Sequence, residues 1–259
     1  MNYKKNNYKN DTKSRLTTAL ALSFWILLWQ IVSMIIGEDI LLASPAKVFK
    51  TMLELCVQEN FWKAIAGSMG RMTLGFVLAC TSGVLLSVLA YNNKMLKAAI
   101  EPLMLVIKAI PVASFVILAL VWIKSKNLSV FISFLMVLPI IYTNTVHGLE
   151  NTDYKLIEMA DVFQINPFKK AIYIYAPLVM PFFLSGATIG IGFCWKSGIA
   201  AEVIGLPANS IGGSLYQAKI LLDTPELLAW TVTIIIISMI YEKSIIGIIK
   251  IISNKIEKI

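Results

Sequence analysis

Four stretches of this 259-residue chain, residues 16–37, 72–93, 127–149 and 171–195, contain no aspartate, glutamate, lysine or arginine. Each is long enough to cross the roughly 30 Å hydrocarbon core of a bilayer as a helix, which takes about 20 apolar residues. Two further runs are less clean. Residues 102–123 include Lys108 and Pro111, and residues 224–241 include Glu226 near one end. Together they predict an all-α fold, an integral membrane helical bundle of about six transmembrane helices. Composition agrees, with 58% hydrophobic and 15% charged residues, where soluble domains carry about 25% charged residues.

The basic residues sit at the edges of these runs. The net charge of +8 is dispersed rather than striped, which argues against a nucleic-acid partner and for contact with anionic lipid headgroups. Lys4, Lys5, Lys9, Lys13 and Arg15 precede the first run. That run is longer than the apolar part of a signal peptide and no A-x-A site follows it, so it is read as a retained anchor. Basic residues mark the cytoplasmic side, which places both termini there. Lys94, Lys97, Lys155, Lys169 and Lys170 then share that side, while Lys47, Lys50, Lys63, Lys124, Lys126 and Lys219 face out. The predicted organisation is a basic cytoplasmic segment (1–15), a transmembrane domain (16–250) and a cytoplasmic tail (251–259). Cys56, Cys80 and Cys194 form no CxxC pair and His147 is the lone histidine, so neither a disulfide framework nor a metal site is predicted.

Two connections carry helical patterns. Residues 45–58 put Val48, Phe49, Met52, Leu53 and Cys56 on one face, after Ser44-Pro45, and predict a short amphipathic surface helix. Residues 150–177 form a longer polar loop. Asn151, Thr152 and Asp153 are candidate N-caps for a helix through about Gln164. Asn166-Pro167 breaks it and starts a second short helix with Lys169 and Lys170 in its first turn, and Pro177 opens the next span.

Within that loop the chain reads Glu158-Met159-Ala160, then Gln164, then Ile174-Tyr175-Ala176-Pro177. This resembles the hallmark of the permeases of ABC importers: E-A-A, three residues, G, nine residues, I-x-L-P. The glutamate, second alanine, isoleucine and proline match in register; the first alanine, the glycine and the leucine do not. Other segments are similar to the nitrate/sulfonate/taurine branch of that family. They are Leu41-Leu42-Ala43-Ser44-Pro45, Ser68-Met69-Gly70-Arg71, Glu101-Pro102, Ile110-Pro111, Leu138-Pro139, Ala200-Ala201-Glu202 and Ile211-Gly212-Gly213.

The resemblance implies a non-catalytic membrane subunit whose loop inserts a coupling helix into a separate ATP-binding subunit. Carried over residue by residue, the coupling set is Glu158, Ala160, Asp161, Gln164, Ile165, Asn166, Pro167, Ile174 and Pro177. It also implies a permease homodimer, an extracytoplasmic substrate-binding protein, and a bacterial cell membrane location. No cofactor is expected on this chain; ATP and Mg belong to the partner subunit. The solute expected from the branch is a sulfonate-, nitrate- or taurine-like anion or a thiamine-precursor-like molecule. Gln164, at the glycine position, is expected to continue the helix and leave the break to Asn166-Pro167.

Ionisable groups inside spans are costly and mark function. Arg71, Lys196 and Glu202 are the substrate-pathway candidates. Arg71 either lines the pathway or snorkels to headgroups. Lys196 either attracts an anion or meets Glu202, six positions on, if the helix breaks near Gly198. The sequence contains no G-x-x-x-x-G-K-[ST] and no HExxH, so neither P-loop nucleotide binding nor zincin catalysis is predicted, and ATP hydrolysis is assigned to a partner. The alternative reading is a secondary transporter driven by an ion gradient.

Overall fold

The computed structural model describes residues 3–256, and its regular structure is helical throughout. The basic side chains of residues 4–15, and the end of the predicted tail (257–259), lie outside what is described. A long first helix, α1 (Tyr3–Ile36), leads to the short surface helix α2 (Pro45–Cys56). Ser44 caps α2 by accepting from the Lys47 amide at 3.4 Å, and Pro45 sits in its first turn. Val48 and Leu55 are its buried residues while Phe49 and Leu53 stay exposed, so its inward face is narrower than predicted.

The bundle itself is built from α3 (Glu59–Asn92), α4 (Lys94–Ala109), α5 (Val112–Ala119), α6 (Ser125–Glu150), α9 (Ala176–Gly205) and α11 (Thr224–Ile256). Between them lie α7 (Tyr154–Val162), α8 (Pro167–Lys170) and α10 (Ile211–Ile220). Among the described residues, four helices are long and apolar enough to cross a membrane: α3, α6, the continuous stretch Pro167–Gly205, and α11. Counting α4 and α5 as one span gives five. The first predicted run lies in α1 up to Ile36, with Gly37 just past its end, and the described apolar part of α1 is Ser23–Ile36.

Three predicted boundaries change. The third run is broken, not straight, with a 103° bend between α4 and α5. Proline disfavours the helical region for the residue before it, and Ile110 is extended (φ −72°, ψ 128°) ahead of Pro111. Helix α3 begins at Glu59, well before residue 72, because a helix can run past the hydrocarbon edge into a polar zone. Helix α9 is unbroken through Gly198.

The core is a three-helix contact of α3, α6 and α9. Ser68 and Arg71 of α3 lie beside Glu202 of α9, whereas Ser87 donates to the Tyr142 carbonyl of α6. Thus α3 and α6 run the same way and α9 returns between them. Small residues let the backbones approach, as is usual where helices pack in lipid. At Gly198 an added Cβ would lie 2.0 Å from Met72 Sδ and 2.5 Å from Ser133 Oγ. Met72 is fully buried and has little room to move. Gly198→Ala is expected to destabilise by about 1–3 kcal/mol, the usual effect of overpacking, read as a lowered melting temperature of the detergent-purified protein.

Around this core, α11 packs on α9 and α2. Trp195 and Tyr241 meet edge to face at 5.5 Å, and Phe61 lies 5.0 Å from Trp230. The chain therefore has two ends. One carries α10 with Arg71 and Glu202. The other carries α7 and α8, next to the ion pairing of Lys97 with Glu150 and Glu101.

Candidate functional site

The polar loop is ordered by local capping. Asp153 begins α7 by accepting from the Lys155 amide at 3.0 Å. At the other end the chain closes a Schellman turn: the Gln164 amide donates to the Asp161 carbonyl and the Ile165 amide to the Ala160 carbonyl, both at 2.9 Å. This motif requires a left-handed residue at its turn, and Gln164 occupies that position with φ 49°. The expectation that Gln164 continues the helix is therefore corrected. Backbone bonding decides the matter: the turn satisfies two carbonyls at the end of α7, and Gln164 accepts the strain that glycine would avoid. Gln164→Gly is expected to stabilise the loop by about 1 kcal/mol, the left-handed penalty less glycine's unfolded-state entropy. Slower amide exchange across residues 154–165 would register it.

Asn166 then caps α8, accepting from the Phe168 amide at 2.9 Å, with Pro167 in the first helical position. The predicted second short helix does not stand apart. Helix α8 runs through a π-helical turn, Ala171–Tyr175, directly into α9. Pro177 has no amide hydrogen and its ring crowds the carbonyl four residues back; the wider π turn just before it, with the Ala176 amide bonded to the Ala171 carbonyl, accommodates this. Ile174 and Pro177 are both half-buried there. Only α7 is a separate lever. It is tied to α8 by an ion pair between Asp161 and Lys170.

The loop sorts its coupling candidates into inner and outer members. Ala160 is fully buried, so its small side chain serves packing within this chain. Glu158 is exposed and forms no ion pair among the described residues. Val162, Phe163 and Phe168 are 79%, 73% and 72% exposed, with Tyr154 and Met159 also open. Phe163 lies outside while Ala160 lies inside, because the helix ends at Val162 and the chain turns. These apolar side chains are functional candidates that the motif alone does not name.

At the opposite end, two of the three pathway candidates meet. Arg71 Nε donates to Glu202 Oε1 at 2.9 Å and its Nη2 donates to the Asn209 carbonyl at 2.9 Å. Glu202, with no exposed surface, also accepts from Ser68 Oγ at 2.7 Å and from the Gly212 amide at 3.2 Å. Ser68 Oγ in turn accepts from the Ile211 amide at 3.0 Å. Carboxylate and hydroxyl thus cap the start of α10, where free amides and the helix dipole favour negative charge. An added Cβ on Gly212 would come within 2.4 Å of Glu202 Cβ, which is why the contact needs glycine. Arg71 does not snorkel; its side chain is only 14% exposed.

Lys196 takes no part. It is exposed on α9, and the predicted Lys196–Glu202 meeting does not occur. In an unbroken helix, positions six apart point to different faces. No group of three or more histidine, cysteine, aspartate or glutamate side chains able to hold a metal assembles among the described residues.

The sequence profile described as "Binding-protein-dependent transport system inner membrane component" matches residues 72–258. The chain is 23% identical over 207 residues to an aliphatic sulfonates transport permease protein of Bacillus subtilis, covering 79% of this chain and 74% of the relative. It is 26% identical to a bicarbonate transport system permease protein of Synechocystis, covering 75% and 73%. A nitrate import permease protein of Synechocystis is also 26% identical, covering 72% and 70%. With this profile, several membrane-length helices and relatives that are importer permeases, the chain is a multi-pass membrane permease belonging to the family of inner membrane components of binding-protein-dependent transport systems.

Proposed function

We propose that this chain is the permease subunit of an ATP-driven importer for a small solute, worked by a separate ATP-binding subunit that docks on α7 and its flanking turns. The observation that carries the reading is the exposed apolar group of Val162, Phe163 and Phe168 on a capped, cross-tied loop. Aromatic side chains held open at a rigid, polar chain reversal are what a partner's groove can anchor on. Displacement of the loop would be transmitted, since α8 continues into α9 and the helix reaches Glu202 roughly 50 Å away at 1.5 Å per residue.

In this reading α7 and both chain termini face the cytoplasm, α1 supplies a sixth span, and two copies enclose the pathway. Glu158 is free to pair with a basic residue of the ATPase. ATP and Mg act on that subunit, whose closure shifts the permease between inward- and outward-open states by differential affinity. An extracytoplasmic binding protein delivers solute to the end that carries α10. The names of the relatives support a small oxyanion, with a pyrimidine among the alternatives, since one is a formylaminopyrimidine transport permease protein, 24% identical over 183 residues.

Solubilising the chain from its native membrane tests the reading. An ATP-binding subunit is expected to co-purify, and ATP hydrolysis is expected to rise when a solute-loaded binding protein is added. Solute uptake by the purified chain alone, driven by an ion gradient without nucleotide, would overturn it.

A further inference from the structure

Helix α10 ends on a second Schellman turn. The Leu222 amide donates to the Lys219 carbonyl at 3.2 Å and the Asp223 amide to the Ala218 carbonyl at 3.0 Å. Leu222 therefore sits in the left-handed position, with φ 55°. Glycine is the usual occupant there, because a side chain strains that backbone. The leucine side chain does little for this chain's own packing, since it is 67% exposed, and Ile220 and Leu221 before it are 61% and 74% exposed. Three consecutive open aliphatic side chains are a fault on a water-facing surface unless something covers them.

The patch extends onto the connection that follows α1. Thr224 Oγ1 donates to the Ile40 carbonyl at 2.5 Å, which ties that connection to the first turn of α11, and Ile40 and Leu41 are themselves 59% and 71% exposed. The same connection is tied back to α1, where Ser33 Oγ donates to the Leu42 carbonyl at 2.9 Å. Both helices leave the bilayer here. The apolar part of α1 ends at Ile36, with Met34 and Ile35 open beside it, and α11 begins at Thr224. The five aliphatic side chains are thus continuous with the lipid-facing surface of α1. Their polar neighbours Lys219 and Asp223 are exposed, as suits a headgroup region.

We propose that the α10–α11 turn, together with Ile40 and Leu41, is a lipid-inserted anchor that beds the free end of α10 in the boundary between acyl chains and headgroups. Removing open aliphatic surface from water drives such insertion, and Lys219 can keep its ammonium among the headgroups while its stem lies along the patch. A soluble partner fits less well, because the patch merges with a face of α1 that such a partner cannot follow into the bilayer. Helix α10 is then fixed at both ends, by Glu202 and Ser68 at its start and by lipid at its finish. The proposal needs only a multi-pass membrane protein; it uses neither the ATPase nor the solute.

Nitroxide labelling of the full chain in vesicles of phosphatidylethanolamine and phosphatidylglycerol tests this, with Cys56, Cys80 and Cys194 replaced by alanine. Leu221→Cys carries the label. Ile35→Cys on α1 serves as the lipid reference and Glu158→Cys on α7 as the water reference; all three side chains are exposed, so the label displaces no packing. Oxygen concentrates in acyl chains, whereas a nickel chelate stays in water. The ratio of relaxation by oxygen to relaxation by the chelate is expected to be severalfold higher at Leu221 than at Glu158, and nearer the Ile35 value. A ratio at Leu221 equal to that at Glu158 would overturn the proposal. So would shielding that appears only when a soluble partner is added, which would assign the patch to that partner. Should Leu221→Cys fail to fold, Ile40→Cys reads the same patch and decides alone.

Discussion

Replacing Glu202 by alanine is expected to cost the folded protein about 3–5 kcal/mol, the range for breaking a buried ion pair from one side. The carboxylate has no exposed surface and takes hydrogen bonds from Arg71, Ser68 and the Gly212 amide. Alanine leaves all three donors facing a dry gap, and Arg71 keeps an unpaired charge with 14% exposure. The effect should appear as a large drop in melting temperature and in the yield of detergent-stable protein. The paired change Arg71→Met with Glu202→Leu is expected to recover a good part of the loss, because exchanging a whole buried pair for apolar groups removes the stranded charge. A single mutant as stable as wild type would mean that the α3–α9–α10 junction is held by something else.

Replacing Phe163 by glutamate should leave stability within about 0.5 kcal/mol, as for exposed positions generally. Its effect is expected on association with the ATP-binding subunit. Exposed aromatic anchors at interfaces commonly carry about 2–4 kcal/mol when truncated, which corresponds to roughly thirty- to a thousandfold weaker binding. Co-purification of the ATPase should fall sharply while melting temperature and helix content hold. The reverse pattern, a damaged fold with intact association, would show that Phe163 packs within this chain.

The spans were legible because lipid imposes a crude rule. A charge-free run of about 20 residues has few other uses, so the runs at 72–93, 127–149 and 171–195 lie in long helices as predicted. Pro111 was visible as punctuation, but the size of the bend was not. The loop was legible in its caps, since Asp153 and Asn166 both serve as the pattern suggested. Gln164 was misread because helix propensity is a weak prior, and closing two backbone hydrogen bonds outweighed it. The pairing of Arg71 with Glu202 joins positions 131 apart; no local period encodes such a contact. The sequence showed only that each was an awkward charge in an apolar setting, and proximity along the chain wrongly offered Lys196 as the partner.

The role of α7 as a partner's docking lever is tested most directly by cross-linking from Val162→Cys in native membranes, with Cys56, Cys80 and Cys194 replaced by alanine. A short thiol-reactive linker at that exposed position is expected to capture the ATP-binding subunit, with a yield that changes when ATP binds. Labelling of the same cysteine by an impermeant reagent applied outside intact cells, with no ATPase adduct, would contradict the account.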